Sequence, residues 1–318
     1  MKLKPEIIEK IKALEEKYAK TGQDLSSYLE GLLHADYLTY WDYIHLDTLL
    51  SLQTPRTNFK DEPIFIMYHQ ITELYFKLVL HELEQLSAQK ELDSAFFTQR
   101  LNRMNRYFEA LVTSFDVMVD GMDKDQFLKF RMTLLPASGF QSVQYRMIEI
   151  GATNLINLVD KDERNRFKGE EKCEELFEYI YWKKGATELA TGNKTLTLVQ
   201  FEDKYSRKLL RWADRFCSTN LWACYLNLPE KEQTKTVQES LKRFDLLVNV
   251  KWPLSHYKSA VRYLQRKPED IAATGGTNWQ KYLPPRFQKR IFYPELWTKQ
   301  EKEEWGKGWV EEQLGLLD

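Results

Sequence analysis

Cysteine is scarce: the 318-residue chain carries only three, Cys173, Cys217 and Cys224. They are odd in number and form no Cys-x-x-Cys pair, which argues against a disulfide framework or a structural zinc site and fits a reducing compartment. Glycine and proline are also few, at 13 and 10, against 43% hydrophobic and 14% aromatic residues. That balance excludes collagen-like and low-complexity sequence and predicts a folded globular chain. Charge of one sign is missing too, with Lys and Arg at 46 and Asp and Glu at 47. A net charge of -1 excludes the strongly basic surface of a nucleic-acid binder and the block charge of an acidic tail. No apolar run approaches the roughly 20 residues that span a bilayer. Met1 to Lys10 alternates charged and apolar residues without the apolar core or cleavage site of a secretory signal. The expectation is a cytoplasmic protein with no membrane and no nucleic-acid partner.

The apolar residues that are present follow helical spacing. Phe65, His69, Phe76, Leu80 and Leu83 recur at intervals of three, four or seven, which lines one face of a helix. Leu101, Met104, Tyr107, Phe108, Leu111 and Phe115 repeat the pattern. So do Leu209, Trp212 and Phe216, and then Leu241, Phe244, Leu247 and Val248. Strand alternation is nearly absent, so the fold class is all-α and bundle-like. The breaks are short: Thr54-Pro55, Asp120-Gly121, Leu135 to Gly139, Gly192-Asn193, Leu228-Pro229, Trp252-Pro253 and Gly275-Gly276. No repeat and no long linker interrupts them. One helical domain spanning 1–318 is expected, with a helical insertion at about 165–235. Ser138, three residues before Gln141, has the S-x-x-Q signature of a capping box ahead of Val143, Met147 and Ile148.

Histidine is the other rarity, with five: His34, His45, His69, His81 and His256. His45-x-Asp47 has the opening of a two-histidine, one-carboxylate iron site. Tyr43 to Leu50 reads as helix, however, and residues two apart on a helix diverge, which favours a surface histidine. His69 shares the apolar stripe of Phe65 and Phe76, so it reads as buried, either as a hydrogen-bonded core imidazole or as a pocket histidine over a cofactor. His81 lies about 120° round the same helix and reads as exposed. His256 follows Trp252-Pro253 with small Ala260 one turn on, which suits a packed histidine or an axial iron ligand beside a flat cofactor. Arg131 emerges from Phe127-Leu128-Lys129-Phe130, placed either for a surface ion pair or for two-pronged capture of a carboxylate. Thr274-Gly275-Gly276-Thr277 has the composition of a turn whose hydroxyls and amides close over a polar ligand.

Taken in order, these pieces resemble one family. Tyr40-Trp41-Asp42-Tyr43, Leu46-Asp47-Thr48-Leu49-Leu50, Asp61-Glu62, Phe65-Ile66-Met67-Tyr68-His69-Gln70, Glu73-Leu74 and His81-Glu82-Leu83 are similar in sequence and spacing to the tryptophan 2,3-dioxygenase family. Phe130-Arg131, Pro136-Ala137-Ser138-Gly139-Phe140-Gln141-Ser142, Gln144-Tyr145-Arg146, Trp252-x-x-x-His256, Thr274-Gly275-Gly276 and Tyr282-Leu283 extend the resemblance over roughly 36–150 and 250–300. The resemblance implies a helical haem b enzyme, usually a homotetramer built as a dimer of dimers. Such an enzyme inserts both atoms of O2 across the indole C2–C3 bond of L-tryptophan to give N-formylkynurenine, the first step of tryptophan catabolism.

By the same resemblance, His256 matches the proximal haem ligand. His69 matches the distal histidine that meets the indole N–H and is the catalytic candidate, as an orienting hydrogen-bond partner. Arg131 matches the arginine that pairs with the substrate carboxylate, and Phe65 and Phe127 match apolar walls of the indole pocket. Ser138 and Gly139 match the loop beside the haem, and Thr274 the threonine that meets the substrate ammonium and carboxylate. Tyr40, Tyr43 and Ile44 match residues that an N-terminal segment, about 1–50, lends to a neighbouring subunit's pocket. The chain departs from the family pattern at Trp252-Pro253-Leu254-Ser255-His256, which lacks the usual arginines. It departs again at Ala273-Thr274-Gly275-Gly276-Thr277-Asn278-Trp279 and at Tyr75. Two other readings follow from those departures: a haem protein acting on a different or modified indole, and a non-catalytic haem- or ligand-binding homologue.

Overall fold

The structure is a computed structural model and describes residues 3–35, 38–134, 141–168, 171–187, 193–264 and 289–306. Among the described residues there is no strand. The β pairing among them consists of two isolated bridges, Val159 with Ile180 and Thr187 with Lys194. The all-α expectation therefore holds. No helix among the described residues is long and apolar enough to cross a membrane.

Two compact units divide the chain at Thr54 and Pro55. The first contains α1 (Pro5–Ala19), α2 (Leu25–Leu33), α3 (Tyr40–Tyr43) and α4 (Leu46–Leu50), and none of these helices holds a buried residue. Asp24 caps α2 by accepting from the amides of Ser26 and Ser27 at 3.0 and 3.2 Å. Tyr18 stacks on Tyr28 with ring centroids 4.6 Å apart. His45 stands between α3 and α4 with φ of 52°, in the left-handed region, so Tyr43 to Leu50 is a broken helix rather than the continuous one expected.

The second unit is built on long helices: α5 (Glu62–Ala88), α6 (Ser94–Ser114), α9 (Val143–Ala152), α12 (Leu196–Phe216), α14 (Lys235–Leu246) and α15 (Trp252–Leu264). Shorter pieces connect them: α7 (Asp116–Asp120), α8 (Lys124–Phe130), α10 (Cys173–Glu178), α11 (Tyr181–Gly185), α13 (Leu221–Leu226) and α16 (Lys299–Glu303). Asp93 starts α6 by accepting from the Phe96 amide at 2.7 Å. From there Phe97, Leu101, Met104, Phe108 and Leu111 are wholly buried along one face. The packing of α9 is close: at Gly151 an added Cβ would stand 3.1 Å from the Leu83 side chain, which would have to give by a few tenths of an ångström, and in ordinary contact, 3.6 Å, with Phe216. The cap of α9 is Ser142, which accepts from the Tyr145 amide at 3.2 Å. Ser138 lies outside the described residues.

Charge is buried with this core. Glu149 of α9 is 0% exposed and accepts from Arg146, from Arg290 and from the Tyr181 hydroxyl, each at 2.6 Å. Both guanidiniums also donate to the Tyr181 oxygen, and Arg290 lies over the Tyr181 ring at 4.7 Å. Burial pushes the Tyr181 phenol well above its ordinary range, which keeps it a neutral donor to Glu149. One carboxylate thereby joins α9, α11 and the segment that follows Lys289. Glu149→Ala should leave both guanidiniums without their shared acid and cost about 3–5 kcal/mol. Urea unfolding tests this, and a loss below about 1 kcal/mol would show that the cluster is not a strut.

Candidate functional site

The site is assembled from the start of α5, the whole of α8, the end of α6 and the middle of α15. Buried Glu62, the first residue of α5, accepts from the amides of Arg56 and Thr57 at 2.8 Å each and from the Thr57 hydroxyl. Burial works to raise its pKa, but these three donors together hold the carboxyl below the usual range, so it is a fixed anion that ties residues 56–57 to the helix start. Gln126 of α8 accepts from the amides of Lys60 and Asp61 at 3.0 and 3.3 Å, and Asp61 accepts from the Asp123 amide at 2.5 Å. These bonds set α8 against α5 and bring Phe127 and Phe130 to within 6.3 and 5.8 Å of Phe65, measured between ring centroids.

His69 sits one turn beyond Phe65, with its ring 4.1 Å from the Phe65 ring and Nδ1 2.7 Å from the Phe65 carbonyl. His256 repeats the device on α15. Its Nδ1 is 3.0 Å from the Trp252 carbonyl, and Trp252 and Phe115 flank the ring at 4.5 Å each. A carbonyl can only accept, so each Nδ1 carries the proton and each Nε2 presents its lone pair away from its own helix. The two imidazoles are linked through ring contacts: His69 to Tyr68 at 6.5 Å, Tyr68 to Phe115 at 5.6 Å and Phe115 to His256 at 4.5 Å. Tyr263, also on α15, closes the other side against Phe127 at 4.6 Å.

Electrostatics keep both rings neutral. Burial lowers the His256 pKa to about 4 against the pull of the Trp252 carbonyl, and the nearby His69 lowers it further. Burial likewise lowers that of His69, opposed by the Phe65 carbonyl and by Glu73. His69 is nonetheless exposed to solvent in the single chain, which corrects the expectation of a packed histidine. His81 is exposed, as expected.

Arg131 begins the 3-10 turn Arg131–Leu134 directly after Phe130 and is 4% exposed, and burial lowers its pKa. Thr274, Ser138 and Gly139 lie outside the described residues. Tyr40 and Tyr43 belong to the first unit, 70% and 74% exposed, with Ile44 partly buried. Sequence reasoning passed over Tyr68, Phe115, Phe130 and Tyr263, because each sits in a stripe that reads as ordinary core. Trp252 is the exception, since its place four residues before His256 predicts the carbonyl contact. The Trp252-Pro253 break is corrected, because the helix runs through it from α14 by the π-helical turn Leu247–Lys251 into α15.

Among the described residues no three histidine, cysteine or acidic side chains gather as a metal site. A haem iron asks less of a protein: one neutral imidazole with a free nitrogen, held in orientation by its other nitrogen, in an apolar surround. His256 has that donor chemistry.

The family model for tryptophan 2,3-dioxygenase matches residues 32–211, more than half of the chain. The chain belongs to the tryptophan 2,3-dioxygenase family. The tryptophan 2,3-dioxygenase of Ruegeria sp. (strain TM1040) is 31% identical over 284 residues, which cover 83% of this chain and 92% of the relative. That of Bacillus thuringiensis subsp. konkukian (strain 97-27) is 28% identical over 290 residues, 86% of this chain and 97% of the relative. The enzyme of Polaromonas naphthalenivorans (strain CJ2) is 42% identical over 120 residues, 37% of this chain and 42% of the relative.

A family member with His256 held neutral should show it on titration. Its pKa is depressed from 6.5 to about 4, so the folded chain binds fewer protons than the unfolded one in that window. This contribution to stability is complete above pH 6.5 and is lost as pH falls toward 4, on the order of 3 kcal/mol in all. The His256 ring protons, followed by NMR in the chain without added cofactor, should titrate near pH 4; a midpoint at 6 or above would sink the assignment.

Proposed function

We propose that this chain is a haem-dependent dioxygenase that opens the indole ring of L-tryptophan with O2 to give N-formylkynurenine. The observation that carries the reading is the pair of imidazoles, each anchored through Nδ1 to its own helix and joined by a run of aromatic contacts, in a chain of this family. Haem b, when bound, supplies the oxygen chemistry that no amino-acid side chain provides. Everything else falls to the chain. His256 would hold the iron through Nε2, and Ser138 and Gly139 would be the loop residues that the family resemblance assigns to the haem. The free Nε2 of His69 accepts the indole N–H, which orients the ring without removing its proton.

Phe65 and Phe127, backed by Phe130 and Tyr263, form walls that accept a flat aromatic and keep water out. Arg131 pairs with the substrate carboxylate, and Thr274 meets the ammonium and carboxylate. Fixing both ends of the amino acid is worth several kcal/mol of barrier, because an oriented encounter replaces a random one. Tyr40, Tyr43 and Ile44 close the pocket of a neighbouring subunit in a homotetramer. The exposure of Tyr40 and Tyr43 within the first unit supports this, since large aromatics left in water ask for a cover.

The altered segment Ala273 to Trp279 favours testing modified indoles alongside tryptophan. Protein reconstituted with haem under reducing conditions should show a Soret band and form N-formylkynurenine from L-tryptophan and O2. His256→Ala should abolish stable haem loading. Arg131→Ala should raise the KM for tryptophan by about 10- to 100-fold, as expected for loss of a charged hydrogen bond. Turnover of another indole with none of tryptophan would reassign the substrate, and failure to bind haem would remove the reading altogether.

A further inference from the structure

The route from α14 into α15 contains one extra residue's worth of helix, and its effect falls on His256. Phe244 of α14 packs on Phe108 of α6 with ring centroids 5.7 Å apart, and His256 of α15 packs on Phe115, the residue that caps the C-terminus of α6, at 4.5 Å. Phe108 and Phe115 are seven residues apart and share a face of α6, so Phe244 and His256 must also share a face of the helix lying along it. In an unbroken α-helix they would not. Twelve steps at about 100° leave His256 about 120° round from Phe244. A π turn absorbs about one residue, or about 100°, and reduces the offset to about 20°. The turn at Leu247–Lys251 has this geometry, with the Trp252 amide donating to the Leu247 carbonyl five residues back.

Two features hold the turn in that form. Pro253 follows it inside the helix, and its ring nitrogen has no hydrogen for the Asn249 carbonyl, so a regular α turn here would lose a bond and meet a clash. Asp245, 0% exposed, accepts from the Asn249 side chain within the turn at 2.8 Å. The same carboxylate accepts from the Phe292 amide at 3.0 Å, the Tyr293 amide at 3.2 Å and the Trp297 indole at 3.0 Å. That outer segment is itself fixed to the body of the fold, through Asn157 donating to the Phe292 carbonyl at 3.2 Å and Arg290 to Glu149 at 2.6 Å.

We propose that Asp245 is a positioning residue for His256, pinning the π turn Leu247–Lys251 to the segment Phe292–Trp297 and so fixing the rotation at which the imidazole meets the pocket. The proposal rests on the reading of His256 as the haem ligand. It is tested on the full-length, haem-loaded protein by the iron–imidazole stretching band of the ferrous form, the rate of haem loss and thermal unfolding. Asp245→Asn puts an amide where two backbone N–H groups point, and Asn249→Ala removes only the bond into the turn. Both should shift or broaden the band and speed haem loss about 10-fold or more. Lys251→Ala, an exposed position in the same turn, should leave both unchanged.

An unmoved band and unchanged haem loss in folded Asp245→Asn would overturn the proposal, even with a lower melting temperature. If Asp245→Asn does not fold, the same outcome in Asn249→Ala overturns it. A wild-type protein with no iron–imidazole band, or one whose band survives His256→Ala, would instead remove the ligand reading on which the proposal stands.

Discussion

Burial of one stripe of α6 governs how the other long helices meet. Phe97, Leu101, Met104, Phe108 and Leu111 are each wholly removed from water. At about 1.5–3 kcal/mol per large apolar side chain, five of them supply about 8–15 kcal/mol, as much as the whole net stability of an ordinary domain. α5 covers this face from one side and α14 with α15 from the other. The last residues of the stripe, Phe115 and its neighbour Tyr68 on α5, are where core becomes pocket. The site is an extension of the core, lined by the same aromatic residues.

Within that apolar surround, polar groups are placed sparingly, and the two histidines are satisfied locally. His69 and His256 use their own helices as hydrogen-bond partners, four residues back, and need no acidic residue to hold their tautomers. The choice suits a neutral ligand: a carboxylate in that position would make the imidazole more basic, whereas a carbonyl orients it and leaves its charge at zero. The charged clusters lie elsewhere. Glu149 with its two arginines and Asp245 with its four donors join segments distant in sequence, and both reach the stretch between Arg290 and Trp297. A short C-terminal segment thus braces the two helices on which the core and the His256 side of the pocket depend.

Proline at 253 shows how a local rule can mislead. Pro after Trp252 reads as a helix break, because proline lacks the donor that a helix interior needs. The chain resolves the conflict by widening the helix for one turn and continuing, since Phe244, Val248 and Trp252 are all buried and reward a continuous path. His45 is the converse case, where apolar spacing reads as one helix and a left-handed residue divides it.

The sequence by itself determined the helical class, the apolar faces of α5, α6, α12 and α14, and the family through its spaced motifs, because periodicity and short motifs are local properties of the chain. It also singled out His69, His256, Phe65, Phe127 and Arg131. Tertiary structure alone decided that Phe115, at the C-cap of α6, lies against His256, that Tyr263 of α15 meets Phe127 of α8, and that a core-like stripe leaves His69 open to solvent. It alone decided the rotation of α15, set by a turn whose form depends on a carboxylate held by residues about 50 positions away. Periodicity reports which residues share a face of one helix. Which faces then meet depends on packing between helices distant in sequence, and no local pattern encodes that.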